Sequence, residues 1–166
     1  MTMDILKRIA LFVILCLVQA LVLNYIHLFN CATPLLYVYF VIQYHRGEPR
    51  WSLLLWSFFL GLAMDTFTNT PGVAAASMTL IGLLQPYLLE LFIPRDSAED
   101  LKPSLHSMNP MNFINYVITL VVIYCIVFYV IEAFNFFNWL HLLECVGGSS
   151  LITLLVIFAI ESVKKK

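Results

Sequence analysis

The chain has 166 residues, 61% of them hydrophobic and 11% charged, with a net charge of −1. Soluble domains are nearer half apolar and a quarter charged. The charges gather in short clusters between long uncharged runs, the pattern of a polytopic membrane protein rather than of soluble amphipathic helices. No basic patch large enough for nucleic acid is present, and the loops are too short to build a soluble enzyme domain.

Met1 to Arg8 is a charged head carrying Lys7 and Arg8. An apolar run follows from Ile9 to about Phe29, interrupted only by Gln19, Asn24 and His27. A positive head before such a run can be a signal peptide. No small-x-small cleavage site is clear, so the run reads as a retained first helix, 9–29. A second helix is expected over 31–44, with Pro34 near its start. It is short, about 21 Å at ~1.5 Å per residue, against a hydrocarbon core of about 30 Å. His45-Arg-Gly-Glu-Pro-Arg50 makes a polar turn, and a third helix is expected over 51–68.

The polar turn around Asp65 leads to a Pro71-Gly72 pair and a fourth helix, 71–93. Pro71 sits where a first-turn proline is tolerated. Gly72, Ala75, Ala76, Thr79 and Gly82 fall at helical spacing along one face, which would let another helix approach closely. Pro86 removes a backbone donor and is expected to kink this helix. The stretch 94–110 is the only long polar segment. Helices over 111–133 and 138–160 complete a single six-helix domain, the last carrying His141, Glu144 and Gly147-Gly-Ser-Ser150.

Six crossings put both termini on one side. With that side cytoplasmic, Lys7, Arg8, Arg46, Arg50, Arg95, Lys102 and Lys164 to Lys166 are all inside, which is every one of the nine Lys and Arg residues. The bias matches the positive-inside rule. It also argues that the short second and third helices cross, because a re-entrant pair would leave Arg46 and Arg50 outside. Bilayer thinning can accommodate short spans.

Asp65 admits two readings. An intramembrane acid is a candidate proton or ligand site. The plainer reading is that it caps the amides opening the fourth helix, where the dipole favours an anion. His141 and Glu144 stand three residues apart and could touch, but a lone His-x-x-Glu is a weak metal or relay signal. Gln19 and Gln85 read as bridges between helices. Cys16, Cys31, Cys125 and Cys145 show no zinc or redox spacing and read as small apolar packing residues. No nucleotide loop, catalytic triad or serine elbow occurs.

The order Pro34-Leu-Leu, Arg46-Gly47, Gly61-x-x-x-Asp65, Pro71-Gly72 and Gly82 resembles the MreD family of bacterial rod shape-determining membrane proteins. The resemblance covers nearly the whole chain, and its motifs are modest; Pro71 and Pro86 depart from the family pattern. It implies an all-α integral membrane protein with six transmembrane helices in the bacterial inner membrane. The implied fold is similar to the membrane substrate-binding subunits of energy-coupling-factor transporters. It implies no enzymatic activity and no cofactor. It implies a scaffold of the cell-elongation complex that binds MreC, organises peptidoglycan synthesis, and shares that complex with MreB, RodA and a class B penicillin-binding protein. Membrane lipid and a further copy of the chain are the other expected partners. The residues that would serve binding or structure are Gly61, Asp65, Pro71, Gly72, Ala75, Ala76, Thr79 and Gly82, with His141 and Glu144 as secondary polar positions. The runner-up reading is a small-molecule-binding subunit of a transporter of the energy-coupling-factor type. An integral-membrane lipid enzyme is disfavoured by the lack of convergent polar groups.

Overall fold

The computed structural model describes residues 2–22, 33–93, 103–104, 108–133 and 139–163. Six helices and no strand are found among the described residues: α1 (Thr2–Leu21), α2 (Val38–Ile42), α3 (Arg50–Thr68), α4 (Val73–Phe92), α5 (Pro110–Ala133) and α6 (Trp139–Val163). Four of these, α3 to α6, are long and apolar enough to cross a membrane. Apolar runs of that length must satisfy their backbone internally once away from water, and a helix does so along its whole length. The expected end of the first helix, over 23–29, and most of the polar stretch 94–110 lie outside the described residues.

The α3–α4 hairpin is the most extensive helix contact, followed by α4–α5 and α5–α6. α1 lies against α3. The short α2 touches α1, α3, α4 and α5, and Tyr39 just inside it donates a hydrogen bond to Glu161 of α6 at 2.7 Å. The segment around α2 is therefore the centre of the bundle, and residues 34–42 are all buried. Many exposed residues are apolar instead: Leu55, Leu62, Leu83, Leu151 and Leu155 all point outward. That inversion suits a bundle whose solvent is hydrocarbon.

The helix expected over 31–44 is not what forms. Only Val38–Ile42 is α-helical, and residues 33–35 are irregular. Pro34 disfavours helix for the residue before it and supplies no donor. The backbone groups that a helix would have paired are held by side chains from elsewhere. Thr33 N donates to Ser149 Oγ at 3.1 Å, and Leu35 N donates to Thr153 Oγ1 at 3.0 Å. The Gln19 amide clamps the turn from both sides, donating to Pro34 O at 2.7 Å and accepting from Leu36 N at 3.0 Å. Irregular backbone at such depth is tolerated where it is buried in protein and satisfied.

The segment still runs from one end of the bundle to the other. Thr33 meets α6 at Ser149, whereas Tyr44 stacks under the Arg8 guanidinium, 4.8 Å from ring centroid to Cζ. Arg8 also pairs with Glu48, and His45 lies 3.4 Å from the same carboxylate. Arg8, Arg46 and Arg50 thus share one end, called the Arg8 end below. The turn after α3 marks the other, the Asp65 end.

α4 also differs from expectation. It begins at Val73, so Pro71 and Gly72 lie in the turn before it rather than in its first turn. Gly72 holds φ at 87°, a left-handed conformation that side chains resist, and Asn69 at the end of α3 holds φ at 58°. α4 continues unbroken through Pro86 to Phe92. Cys145 departs from the plain packing role expected of it: it is disulfide-bonded, with its partner cysteine outside the described residues. Cys16 and Cys125 are free.

Candidate functional site

The stretch from Gly61 to Gly82 forms a clasp between α3 and α4. Gly61 and Asp65 stand one turn apart on α3, so they share a face. That face meets the first turn of α4. A Cβ on Gly61 would fall 2.5 Å from Ala75 Cα and 2.6 Å from the Ala74 carbonyl oxygen. Those contacts are to backbone, which cannot swing aside. Gly61 is what lets the two helix axes come this close.

Asp65 uses that proximity. Its Oδ1 accepts from Ala74 N at 2.8 Å and its Oδ2 accepts from Ala75 N at 2.9 Å. These are the second and third residues of α4, whose amides have no partner within the helix. Gly72, at the cap position, has no side chain to serve them. The cap is therefore supplied from the preceding helix, and the carboxylate also meets the positive end of the α4 dipole. Thr70 donates to Oδ1 at 3.4 Å, and Thr68 hydrogen-bonds Thr70 at 2.7 Å. Asp65 is buried, with 7% of its surface exposed, so this acid lies within the protein and not on an open outer surface.

The small-residue face of α4 divides. Ala75 and Gly82 are buried against α3, and a Cβ on Gly82 would lie 2.8 Å from Ser57 Oγ. Ala76 and Gly72 are exposed, and Thr79 is half-buried with its hydroxyl donating to Ala75 O at 2.7 Å. Part of the expected partner-binding face is thus consumed inside the monomer. The outward ridge of α4 is instead Ala76, Leu80, Leu83 and Tyr87. Ser57 Oγ is the one buried side-chain polar atom without a hydrogen-bond partner among the described residues.

His141 and Glu144 are both exposed near the start of α6, away from the clasp. Among the described residues no group of three His, Cys, Asp or Glu side chains is placed to hold a metal ion. Gln85 is buried and donates to Tyr116 Oη at 3.1 Å, joining α4 to α5. Its Nε2 also reaches Tyr44 O at 3.5 Å.

Behind the clasp, at the Asp65 end, lies a cavity of about 360 Å³. Its walls come from α1 (Gln19, Ala20), the irregular segment (Thr33, Leu35, Tyr37), the end of α3 (Met64, Phe67, Thr68), Thr70 and Ala74, and α5 (Phe128, Glu132). It is within the size range of small-molecule sites. A second pocket at the Arg8 end is only about 60 Å³. Tyr37 and Tyr124 meet edge to face at 5.8 Å below the larger cavity, and the Tyr124 hydroxyl donates to that of Tyr37 at 2.5 Å.

Of the residues singled out by sequence, the structure gathers Gly61, Asp65, Ala75 and Gly82 at one helix contact, with Pro71 and Gly72 in the turn that leads into it. It keeps His141 and Glu144 apart from them. Sequence reasoning missed Tyr37, Thr33, Ser149 and Thr153 as members of one neighbourhood. Ser149 and Thr153 carried a signal, since hydroxyls within an apolar run need a partner. Comparison with family models, with curated proteins and with solved structures finds no match.

Proposed function

We propose that this chain is a non-enzymatic membrane scaffold of the bacterial cell-elongation complex, resembling the MreD family and holding MreC. The observation that carries the proposal is the use made of the motif behind the resemblance. Gly61 and Asp65 are spent on joining α3 to α4, so the acid is committed to two backbone amides rather than poised for chemistry. A carboxylate so held makes a rigid hairpin, and a rigid hairpin can present the outward ridge of α4 to a partner's transmembrane helix. MreB, RodA and a class B penicillin-binding protein are the proposed neighbours in the same complex.

Two features support an inner-membrane setting with the Arg8 end cytoplasmic. The described Arg8, Arg46 and Arg50 share that end, as positive-inside placement requires. The disulfide at Cys145 lies toward the opposite end, where α6 begins. Disulfides persist on the oxidising side of a bacterial inner membrane.

Replacing Ala76 on the exposed ridge with leucine tests the scaffold reading. Capture of MreC from membranes is expected to fall. Undiminished capture by the Ala76→Leu protein removes this face from the interface. Capture of an ATPase-coupled transport module instead of MreC would favour the second reading, a small-molecule-binding membrane subunit. The cavity at the Asp65 end is the observation behind that alternative.

A further inference from the structure

We propose that the cavity at the Asp65 end takes a primary ammonium group, from a lipid headgroup or a free amine, with Glu132 as its counter-ion. The inference rests on the second reading only in treating the cavity as open to a ligand.

The chemistry of the walls selects a cation. Among the described residues, Glu132 is the only charged side chain lining the cavity, and no Lys, Arg or His lines it. No hydrogen bond or ion pair engages the Glu132 carboxylate among the described residues. It contrasts with Asp65 nearby, whose charge is already met by two amides and a hydroxyl. Thr68 and Thr70 add hydroxyl acceptors on the α3 side. Phe67, Phe128 and Tyr37 supply aromatic walls, and ring faces attract cations by electrostatics within about 6 Å. An ammonium has three donors and no acceptor, so it suits one carboxylate ringed by hydroxyls. An anionic group would meet no base among the described lining residues and would face Glu132.

The test uses the whole protein in neutral detergent, with native mass spectrometry reading bound lipid. The probes are phosphatidylethanolamine and phosphatidylglycerol with the same acyl chains, plus free ethanolamine. The protein is expected to retain the ethanolamine lipid at least tenfold better than the glycerol lipid. Glu132→Gln should erase that preference, and Glu132→Asp should keep part of it. Ala20→Leu, which fills the cavity without altering charge, should remove retention; Thr68→Val provides a milder second probe of the same wall. Unchanged melting temperatures confirm that each variant is folded.

Displacement of the lipid by ethanolamine, or direct ethanolamine binding without lipid preference, supports the ammonium and identifies a free amine as its source. Equal retention of both lipids together with no ethanolamine binding overturns the ammonium assignment. In that outcome, loss on Ala20→Leu would still leave the cavity a ligand site. Retention untouched by both Ala20→Leu and Thr68→Val removes the cavity itself from consideration.

Discussion

At Asp65 two carboxylate oxygens meet three donors: the Ala74 and Ala75 amides and the Thr70 hydroxyl. Hydrogen bonds to a charged group are worth about 1.5–3 kcal/mol each, and leaving a buried donor unpaired costs about 1–3 kcal/mol. Asp65→Asn keeps one acceptor oxygen and the side-chain volume but places an NH2 group against an amide. It is expected to lose about 1–3 kcal/mol, and Asp65→Leu more, since both amides are then orphaned. Thermal unfolding in detergent reads the difference; an Asp65→Leu protein as stable as the parent would show that the α4 amides find other partners. Ser57 and Gly82 allow a sharper experiment on the same helix pair. Ser57 carries a buried hydroxyl with no partner, and a methyl on Gly82 would press on that oxygen at 2.8 Å. Ser57→Ala should therefore be neutral or stabilising. Gly82→Ala alone should destabilise by about 1–3 kcal/mol through overpacking. The double variant is expected to recover part of that loss, a coupling of about 0.5 kcal/mol or more in a double-mutant cycle. Strict additivity would mean that the α4 backbone, not Ser57, absorbs the added methyl.

The elements divide by how local their causes are. α3 to α6 were legible from hydropathy, because a long uncharged run must become a helix in lipid whatever surrounds it. The Asp65 cap was also legible in outline, since an acid, a Pro-Gly turn and a helix start lie within ten residues of each other. The irregular segment before α2 was not. Its shape depends on Gln19, Ser149 and Thr153, which reach it from helices separated by 15, 116 and 118 residues in sequence. A reading along the chain sees three polar residues in apolar runs but not the backbone they serve. The cavity was illegible for the same reason, since its walls come from α1, α3, α4, α5 and two connecting segments. The Gln19 clamp is the element's weak point. It is 1% exposed and makes two bonds to main-chain atoms. Gln19→Leu keeps the apolar volume but leaves the buried Pro34 O and Leu36 N without these partners. A loss of about 2–6 kcal/mol is expected, from two orphaned groups at about 1–3 kcal/mol each. Gln19→Glu keeps the acceptor for Leu36 N and loses the donor to Pro34 O, so it should fall between. Hydrogen exchange at Leu35 to Phe40 should rise in Gln19→Leu while exchange in α5 stays slow. Equal exchange throughout would assign the segment's order to its packing alone.

On the scale of the whole molecule, a charged end and an acid-bearing end face opposite directions. Arg50 and Asp65 bracket most of α3, about 22 Å apart at ~1.5 Å per residue. Arg8, Glu48 and His45 tie the start of α1 to the turn before α3, so the basic end is a built surface and not a set of loose loops. The segment 33–44 enters this scheme as a crossing that is only partly helical. It delivers the chain from the level of Ser149 to the level of Arg8, and so preserves the arrangement in which α3 starts at the basic end. Had it turned back, Arg46 and Arg50 would lie beside Asp65, which they do not. Single cysteines at exposed positions decide the membrane orientation that follows. Asn69→Cys sits in the turn at the Asp65 end, and Ser162→Cys sits near the opposite end of α6. In spheroplasts, a membrane-impermeant thiol reagent is expected to label the Asn69→Cys protein. It should label the Ser162→Cys protein only after the membrane is opened, with the parent chain as background because Cys125 is buried and Cys16 is half-buried in α1. Labelling in the reverse order would place Arg8, Arg46 and Arg50 outside and overturn both the orientation and the scaffold reading that depends on it. Labelling of both positions without opening the membrane would mean that α6 does not cross.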